Sequence, residues 1–462
     1  MNRLINDTIV ALATPAGGAI GVVRLSGPDA IGITAGLFRS VNPNFDLNDA
    51  KAGTVHYGRL VDIQGEEVDD VVVSLYRAPH SYTGEDSTEI SCHGSAYILQ
   101  QALHACIDAG ARQAAHGEYT QRAYLNGKMD LSQAEAVADL VAANNRATHQ
   151  LALSQLKGHF SGELTALRDQ LLKMTSLVEL ELDFSDHEEL EFADRSDLKE
   201  LAQRIDDRIT TLAHSFEMGN ALKKGIPVAI VGKTNVGKST LLNQLLHEDR
   251  AIVSDIDGTT RDVIEDTLNI HDVTFRLIDT AGIRHTSDKV ERIGIERAYQ
   301  KLDEAVIVLW MIDRQPTPEE LADLQQRTEG KKVIVLRNKI DIAESQTTSF
   351  NYNGFQPFCE LAISAKKNIG ITELEEHIYA AAYIPELNEN SVIVTNARHY
   401  EALTLAKTAI EHVLEGLSLD LSGDLLAEDL RICLSDLGEI TGGAITSQET
   451  LNNIFQHFCI GK

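Results

Sequence analysis

Cysteine is scarce and scattered. The five in the chain (Cys92, Cys106, Cys359, Cys433 and Cys459) include no C-x-x-C pair, so the sequence supports neither a disulfide framework nor a zinc knuckle, which suits a reducing compartment. Long apolar runs are missing too: no stretch of eighteen could span a bilayer. The opening Met-Asn-Arg-Leu-Ile-Asn-Asp leads into an apolar stretch broken at Pro15 and does not resemble a signal peptide, so a cytoplasmic location is expected. Positive charge is short, 41 Lys and Arg against 69 Asp and Glu, for a net −28. That field opposes polyanions, and any tRNA or rRNA client needs a local basic patch or a basic partner. Part of the acidity falls in residues 179–191, whose carboxylates cover several faces; a solvated helix end or loop suits them better than a metal site. Internal repeats and low-complexity linkers are absent.

At 462 residues the chain exceeds one core, and two to four domains are expected. The first hundred residues read as mixed α/β, with short β-like runs at 8–14, 20–25, 70–76 and 88–92. Ser95 is placed to cap a helix over 96–109 that Gly110 would end. From 131 to 222 proline disappears, and Ala, Leu, Glu and Lys recur at helical spacing. Apolar strands then alternate with helical stretches (275–278, 305–312, 332–337), the signature of a parallel sheet. Helical spacing returns over 396–458. The expected architecture is an α/β unit inserted into a helical domain built from both flanks.

The motif that carries chemistry is Gly232-Lys-Thr-Asn-Val-Gly-Lys-Ser239, directly after the apolar run 228–231. It matches G-x-x-x-x-G-K-S, whose glycines let the backbone close round phosphates while Lys238 reaches the terminal phosphates and Ser239 ligands Mg²⁺. The helix that follows would point its free N–H groups at the anion. Asp279-Thr-Ala-Gly282 ends a strand where a Mg²⁺-holding carboxylate belongs, with the Gly282 N–H meeting the γ-phosphate. In Asn338-Lys-Ile-Asp341, Asp341 would accept both N–H groups of the guanine edge, a pair adenine lacks. Ser364-Ala-Lys366 completes the base pocket through backbone N–H groups. Thr260, within Asp257-Gly-Thr-Thr-Arg-Asp262, is placed as a second Mg²⁺ ligand. Together these specify GTP.

Two positions bear on mechanism. The residue after Asp-Thr-Ala-Gly is Ile283 rather than a glutamine, so another group must orient the attacking water. Asn235, inside the phosphate loop, either stabilises a turn or ligands a monovalent cation beside the β/γ bridge, where K⁺ would stand in for an arginine finger. Cys92 and His93 are not a catalytic dyad, because strand neighbours face opposite ways.

With these motifs the chain resembles the MnmE (TrmE) family of bacterial tRNA modification GTPases from end to end. The resemblance outside the nucleotide motifs rests on Asp7-Thr-Ile-Val-Ala, Gly21-Val-Val-Arg-Leu-Ser-Gly27, Ser81-Tyr-Thr-Gly-Glu-Asp86, the run from Gly117 to Asp130, Ala134-Glu-Ala-Val and the ending Phe458-Cys-Ile-Gly-Lys462; within them, Asn235, Gly258-Thr-Thr-Arg-Asp262 and Val290-Glu-Arg-Ile-Gly294 add to it. It implies a tetrahydrofolate-binding and dimerisation domain over 1–120, a helical domain over 121–222 and 385–462, and an inserted Ras-like G domain over 223–384. It also implies an aminomethyl or carboxymethylaminomethyl group installed at C5 of the wobble uridine, with the one-carbon unit drawn from methylene- or formyl-tetrahydrofolate. The implied partners are a second copy of the chain, the flavoprotein MnmG (GidA) in a heterotetramer, and tRNA held largely through that flavoprotein; no membrane is involved.

The resemblance further assigns K⁺ to Asn235 with Ser254, Ile256 and Thr259, so that two G domains pair, and gives Glu291 the water-positioning role. Catalytic residues would be Glu291, Lys238 and Asn235. The GTP-binding set becomes Asn235, Val236, Gly237, Lys238, Ser239, Thr240, Ser254, Asp255, Ile256, Asp257, Gly258, Thr259, Thr260, Asp279, Thr280, Ala281, Gly282, Asn338, Lys339, Asp341, Ser364, Ala365 and Lys366. Folate would be held by Arg24, Glu89, Lys128 and Lys462; taken singly, each reads by default as a surface ion pair. Cys459 is either a reactive thiol near the folate or a buried cysteine finishing a helix, and its tail does not fit a prenylation signal. Competing readings are a ribosome-assembly or signalling GTPase acting as a binding switch, and a folate-dependent methyltransferase with a regulatory G domain.

Overall fold

The structure, a computed structural model, describes residues 7–183, 195–233, 235–247, 266–279, 302–342, 350–352, 354–384, 391–443, 451, 454–456, 458 and 461. The chain forms two compact units, one of Met1–Ala142, Ala152–Ile209 and Ala402–Lys462, the other of Ala143–Leu151 and Thr210–Glu401.

In the first unit, strands β1 (Ile9–Leu12), β2 (Ile20–Ser26), β3 (Phe38–Ser40), β4 (Thr54–Val61), β5 (Glu67–Tyr76), β6 (Ser87–His93) and β7 (Arg112–Gln113) form one sheet in the order β3-β4-β5-β6-β2-β1-β7. Only the β1–β7 pairing is parallel. Alternation sets the faces: Val71, Val73 and Leu75 of β5 turn inward, with the residues between them more exposed. Helices α1 (Ala30–Leu37) and α2 (Ala96–Asp108) supply Ile31, Leu37, Leu99, Ala102 and Cys106 to the same core. Ser95 does occupy the N-cap position of α2, but its side chain makes no capping bond. Cys92 is buried and His93 exposed, as strand alternation requires.

The proline-free block becomes α4 (Leu131–Ala142), α5 (Arg146–Leu156), α6 (His159–Asp183) and α7 (Arg195–Lys224), preceded by α3 (Glu118–Leu125). Along α6 the buried positions are Leu164, Leu167, Leu171, Met174 and Val178, steps of three and four that place them on one face. That face meets α12 (Gly423–Thr441), whose Leu426, Leu430, Cys433, Leu437 and Ile440 repeat the spacing. Among the described residues no helix is long and apolar enough to cross a membrane.

In the second unit, β8 (Ile226–Gly232), β9 (Asp266–Ile270), β10 (Val273–Asp279), β11 (Ile307–Ile312), β12 (Lys332–Arg337) and β13 (Cys359–Ala362) form a sheet in the order β13-β12-β11-β8-β10-β9. Every pairing is parallel except β9–β10. β11 is buried at all six positions, which is why its run is uniformly apolar. Helices α8 (Lys238–His247), α9 (Pro318–Arg327) and α10 (Ile371–Ala381) belong to this unit, and α11 (Ala397–Ser418) follows. α9 starts at a full capping box between Thr317 and Glu320. Ala147 and Leu151, inside the helical block by sequence, are buried in this unit's core with Phe275 and Leu277.

Candidate functional site

The phosphate loop leaves the C-terminal end of β8 and enters α8. Gly232 has φ 151° and Gly237 φ 109°, and a Cβ would lie 2.5 Å from Met311 O at the first and overlap Asn338 Nδ2 at the second. Both positions are closed to larger residues by conformation and by space. Between them Asn235 is exposed with φ 62°, a left-handed conformation that asparagine tolerates better than most residues. Lys238 Nζ donates to Gly232 O (2.6 Å) and Lys233 O (2.8 Å), lying across the loop's own carbonyls. Ser239 and Thr240 are exposed in the first turn of α8, where N–H groups lack intrahelical acceptors. Val236 is buried.

Asn338 holds the loop to the base-recognition segment. It is 5% exposed; its Nδ2 donates to Val236 O (2.7 Å), its Oδ1 accepts from Ala365 N (3.0 Å), and its own N–H bonds Ile312 O (2.9 Å). One side chain thus ties the phosphate loop, the end of β11 and the Ser364–Lys366 turn together. Asp341 is exposed and accepts a 2.7 Å bond from the Ser364 hydroxyl, which holds its carboxyl below the usual range; Lys366 and Lys367 add to the effect. An ionised carboxylate there can accept two N–H groups at once. Lys339 (φ 70°) reaches Asp313 at 2.6 Å. β10 ends at Asp279, whose backbone pairs with Ile230, two residues before Gly232. Ser254, Asp255, Ile256, Asp257, Gly258, Thr259, Thr260, Thr280, Ala281, Gly282, Ile283 and Glu291 lie outside the described residues.

In the first unit, Arg24 and Glu89 are cross-strand partners on β2 and β6, joined at 2.9 Å (Nε) and 2.8 Å (Nη2). The Arg24 guanidinium stands 5.9 Å from the Tyr82 ring and 5.8 Å from the Tyr119 ring, and its Nη1 donates to Gly461 O (3.4 Å). Lys128 donates to Pro79 O (3.0 Å), at the start of the same loop that carries Tyr82. Two of the four expected folate residues, Arg24 and Lys128, therefore border one loop, and Glu89 is paired to the first. Cys459 and Lys462 lie outside the described residues; between them Gly461 reaches Arg24.

Sequence reasoning missed the buried ionic network beside this site. Arg122 is 3% exposed and bonds Asp7 Oδ1 (2.6 Å), Glu118 Oε1 (3.0 Å) and Glu85 Oε1 (3.2 Å). Glu118 also accepts from Arg112 (2.6 Å), and Glu85 accepts from Ser26 Oγ (2.8 Å). Apart from Arg112, these residues lie in the runs that carry the family resemblance, but nothing in the letters pairs them. For Glu118, burial pushes the carboxyl pKa up, and bonds from Arg112, Ala115 N–H and Arg122 outweigh it, leaving the group below its ordinary 4.5; Asp7 lies below 3.8 by the same balance with Arg112 and Arg122. Depressed folded-state values mean that this stabilisation is complete above pH 4.5 and is lost as pH falls through the folded pKa values. Urea midpoints of this unit should therefore hold from pH 7 to about 5 and drop steeply below about 4; a midpoint flat down to pH 3 would contradict the network.

A phosphate loop at the C-terminal edge of a mainly parallel sheet, braced by an N-K-x-D asparagine, defines the class: a P-loop protein of the GTPase type with an α/β N-terminal part and helical flanks. Family models described as "GTP-binding protein TrmE N-terminus" and "MnmE helical domain" match residues 8–128 and 131–459, and the chain belongs to the MnmE family of tRNA modification GTPases. It is 54% identical to the tRNA modification GTPase MnmE of Phocaeicola vulgatus over 501 aligned positions covering 100% of both chains. It is 56% identical to that of Bacteroides fragilis, covering 99% of each, and 48% identical to that of Cytophaga hutchinsonii, covering 99% of this chain and 98% of that one.

Proposed function

We propose that the chain is the GTP-hydrolysing subunit of a tRNA wobble-uridine C5 (carboxymethyl)aminomethyl modification complex that draws its one-carbon unit from a reduced folate. The observation that carries the nucleotide part is Asn338, whose two amide ends join the phosphate loop to the turn beside Asp341. Such a brace sets the distance between the phosphate and base subsites. The close-set Gly232 and Gly237 support it, since they leave backbone rather than side chains to face a triphosphate.

Ser239 and Thr260 would hold Mg²⁺ with Asp279 beyond them; Asn235, Ser254, Ile256 and Thr259 would hold K⁺. Asn235 is exposed in the loop, which leaves its amide open to a cation, while its left-handed backbone suits the turn-stabilising reading equally. Glu291 would position water indirectly, the role Ile283 cannot fill. Arg24, Glu89, Lys128 and Lys462 would hold the folate: cations suit the glutamate-tail carboxylates, and a carboxylate accepts from pterin N–H groups. The domain limits 1–120, 121–222, 223–384 and 385–462, the homodimer, the MnmG partner and the cytoplasmic location belong to the same reading. The net −28 supports tRNA binding largely through the partner.

GTP turnover of the purified chain is expected to be about tenfold faster in K⁺ than in Na⁺, a modest share of what a charge at the γ-phosphate can supply. Asn235→Ala should remove the difference while GTP binding persists. Equal rates in the two salts would overturn the cation assignment, and a purified chain without affinity for tetrahydrofolate would overturn the folate assignment.

A further inference from the structure

Four strands of the second unit's sheet stand side by side in the order β13, β12, β11, β8. Ala362 is the register partner of Arg337, Arg337 of Ile312, and Met311 of Gly232, so the four strands end at one level. Beyond those ends lie the Ser364–Lys366 turn, the segment Asn338 to Asp341, Asp313, and the phosphate loop. The end of β12 and the end of β8 are two strands apart, roughly 10 Å at ordinary spacing. A nucleotide that reaches both Asp341 and the loop must pass over the ends of β12 and β11.

Lys339 lies along that path. Its backbone is left-handed (φ 70°), which is uncommon for lysine, and it is fixed from both sides. Asn338 is buried and bonded through Nδ2, Oδ1 and its backbone N–H; Ile340 N–H donates to Ile363 O (3.3 Å) and Ile342 N–H to Lys339 O (3.0 Å). A backbone conformation of this kind persists where its surroundings over-determine it, and such residues cluster at functional sites. From that root the side chain crosses from the end of β12 to the end of β11, where Nζ meets Asp313 Oδ2 at 2.6 Å. Root and tip are both anchored, so the stem between them runs from the base-recognition segment toward the phosphate loop. Arg314, next in sequence after Asp313, turns instead to Glu320 (3.8 Å), whose carboxylate also meets Lys233 of the phosphate loop. The two charges after β11 thus serve different segments.

We propose that Asp313 is a positioning residue of the guanine subsite: it anchors the Lys339 ammonium so that the lysine stem forms an apolar floor beside the base whose edge Asp341 holds. The proposal rests on the guanine assignment of Asp341. A flat base packs well on methylenes only when they lie in one rotamer, whereas an unanchored lysine samples many. An ammonium bound at its tip has lost that freedom before the nucleotide arrives, and preorganisation of this kind raises affinity. The side chains of Asp313 and Lys339 are each 35% exposed, so the pair adds little to folding. Its effect falls on binding of the base and not on the chemistry at the phosphates.

The test is calorimetric titration of the full chain with GDP and with a non-hydrolysable GTP analogue, beside steady-state GTP turnover. Asp313→Ala should weaken both nucleotides alike, by about fivefold, the upper end of what a partly exposed ion pair supplies. KM for GTP should rise with kcat within about twofold, the pattern of an interaction made equally in ground and transition states. The melting temperature without nucleotide should stay where it is in wild type. Asp313→Asn, whose amide oxygen still accepts from the ammonium, should recover most of the affinity. Lys339→Met keeps a stem without its charge and should match Asp313→Ala, and the double variant should bind no more weakly than either single one, because all three lack the same bond. The proposal would be overturned by Asp313→Ala binding both nucleotides within about 1.5-fold of wild type, by a loss in kcat without a loss in affinity, by a melting loss that accounts for the weaker binding, or by additive losses in the double variant. A wild type that binds ADP as tightly as GDP would refute the guanine assignment and the proposal with it; a guanine-selective wild type whose Asp313→Ala variant binds unchanged would refute the proposal alone.

Discussion

Gly237→Ala is expected to weaken GTP binding by about 30-fold to 10⁴-fold. The added Cβ would occupy a backbone conformation of φ 109° and overlap Asn338 Nδ2. Forcing a side chain into such a region costs roughly 1–3 kcal/mol. Displacing Asn338 removes the 2.7 Å bond to Val236 O and leaves that buried carbonyl unsatisfied, another ~1–3 kcal/mol. The sum, about 2–6 kcal/mol, converts at tenfold per ~1.4 kcal/mol. The loop can escape the clash by opening, so the cost should appear in nucleotide affinity more than in folding. Isothermal titration with GTP and GDP, alongside thermal melts without nucleotide, checks both halves: an affinity within threefold of wild type would refute the argument, and so would a melting loss large enough to account for weak binding.

The second large effect is on stability. Arg122→Met should destabilise the first unit by about 3–5 kcal/mol, the usual result of removing one partner from a buried ionic cluster. Methionine fills much of the volume, so a cavity is not the cause. The cause is that Glu118, 3% exposed, and the largely buried carboxyl of Glu85 lose the cation that bonds them, while Arg112 still serves Glu118 on one side. Arg122→Lys should recover only part of the loss, since one ammonium cannot span Asp7, Glu85 and Glu118 in fixed directions as the guanidinium fork does. Urea unfolding followed by signals from each unit separately would read this, because a chain of two units need not unfold in one step. A shift below about 1 kcal/mol in the first unit's transition would contradict the burial argument.

The strands that were legible are those buried on both faces, together with β2, β5 and β6, whose burial alternates along the strand. Uniform apolar runs such as the one in β11 need no partner to be read, and the position of the G-x-x-x-x-G-K-S loop after β8 follows from them. The helical block over 131–222 was legible because proline is absent and apolar residues step by three and four. β4 was not: its apolar Val55 and Tyr57 are exposed while the polar Thr54 and His56 lie on the less exposed face with Gly58, and its pairing with β5 shifts register near Leu60. The short β3, β9 and β13 carry too few residues to show any period.

The site divides the same way. Asp341, Lys238 and Asn235 could be assigned from local spacing, because strand, loop and helix arrive in order along the chain and their chemistry depends on neighbours a few residues away. The pairings that organise the site could not. Asn338 meets Val236 across 102 residues, Arg122 meets Asp7 across 115 and Lys339 meets Asp313 across 26. Nothing local marks such partners: an arginine between a glutamine and an alanine, or an aspartate after a strand, looks the same whether it faces water or holds two segments together. The sequence by itself determined which nucleotide chemistry this protein carries, since that resides in residue types at short fixed spacings. Only the tertiary structure decided which polar residues are buried and bonded to one another, since that depends on which distant segments the packing of the two cores brings within 3 Å.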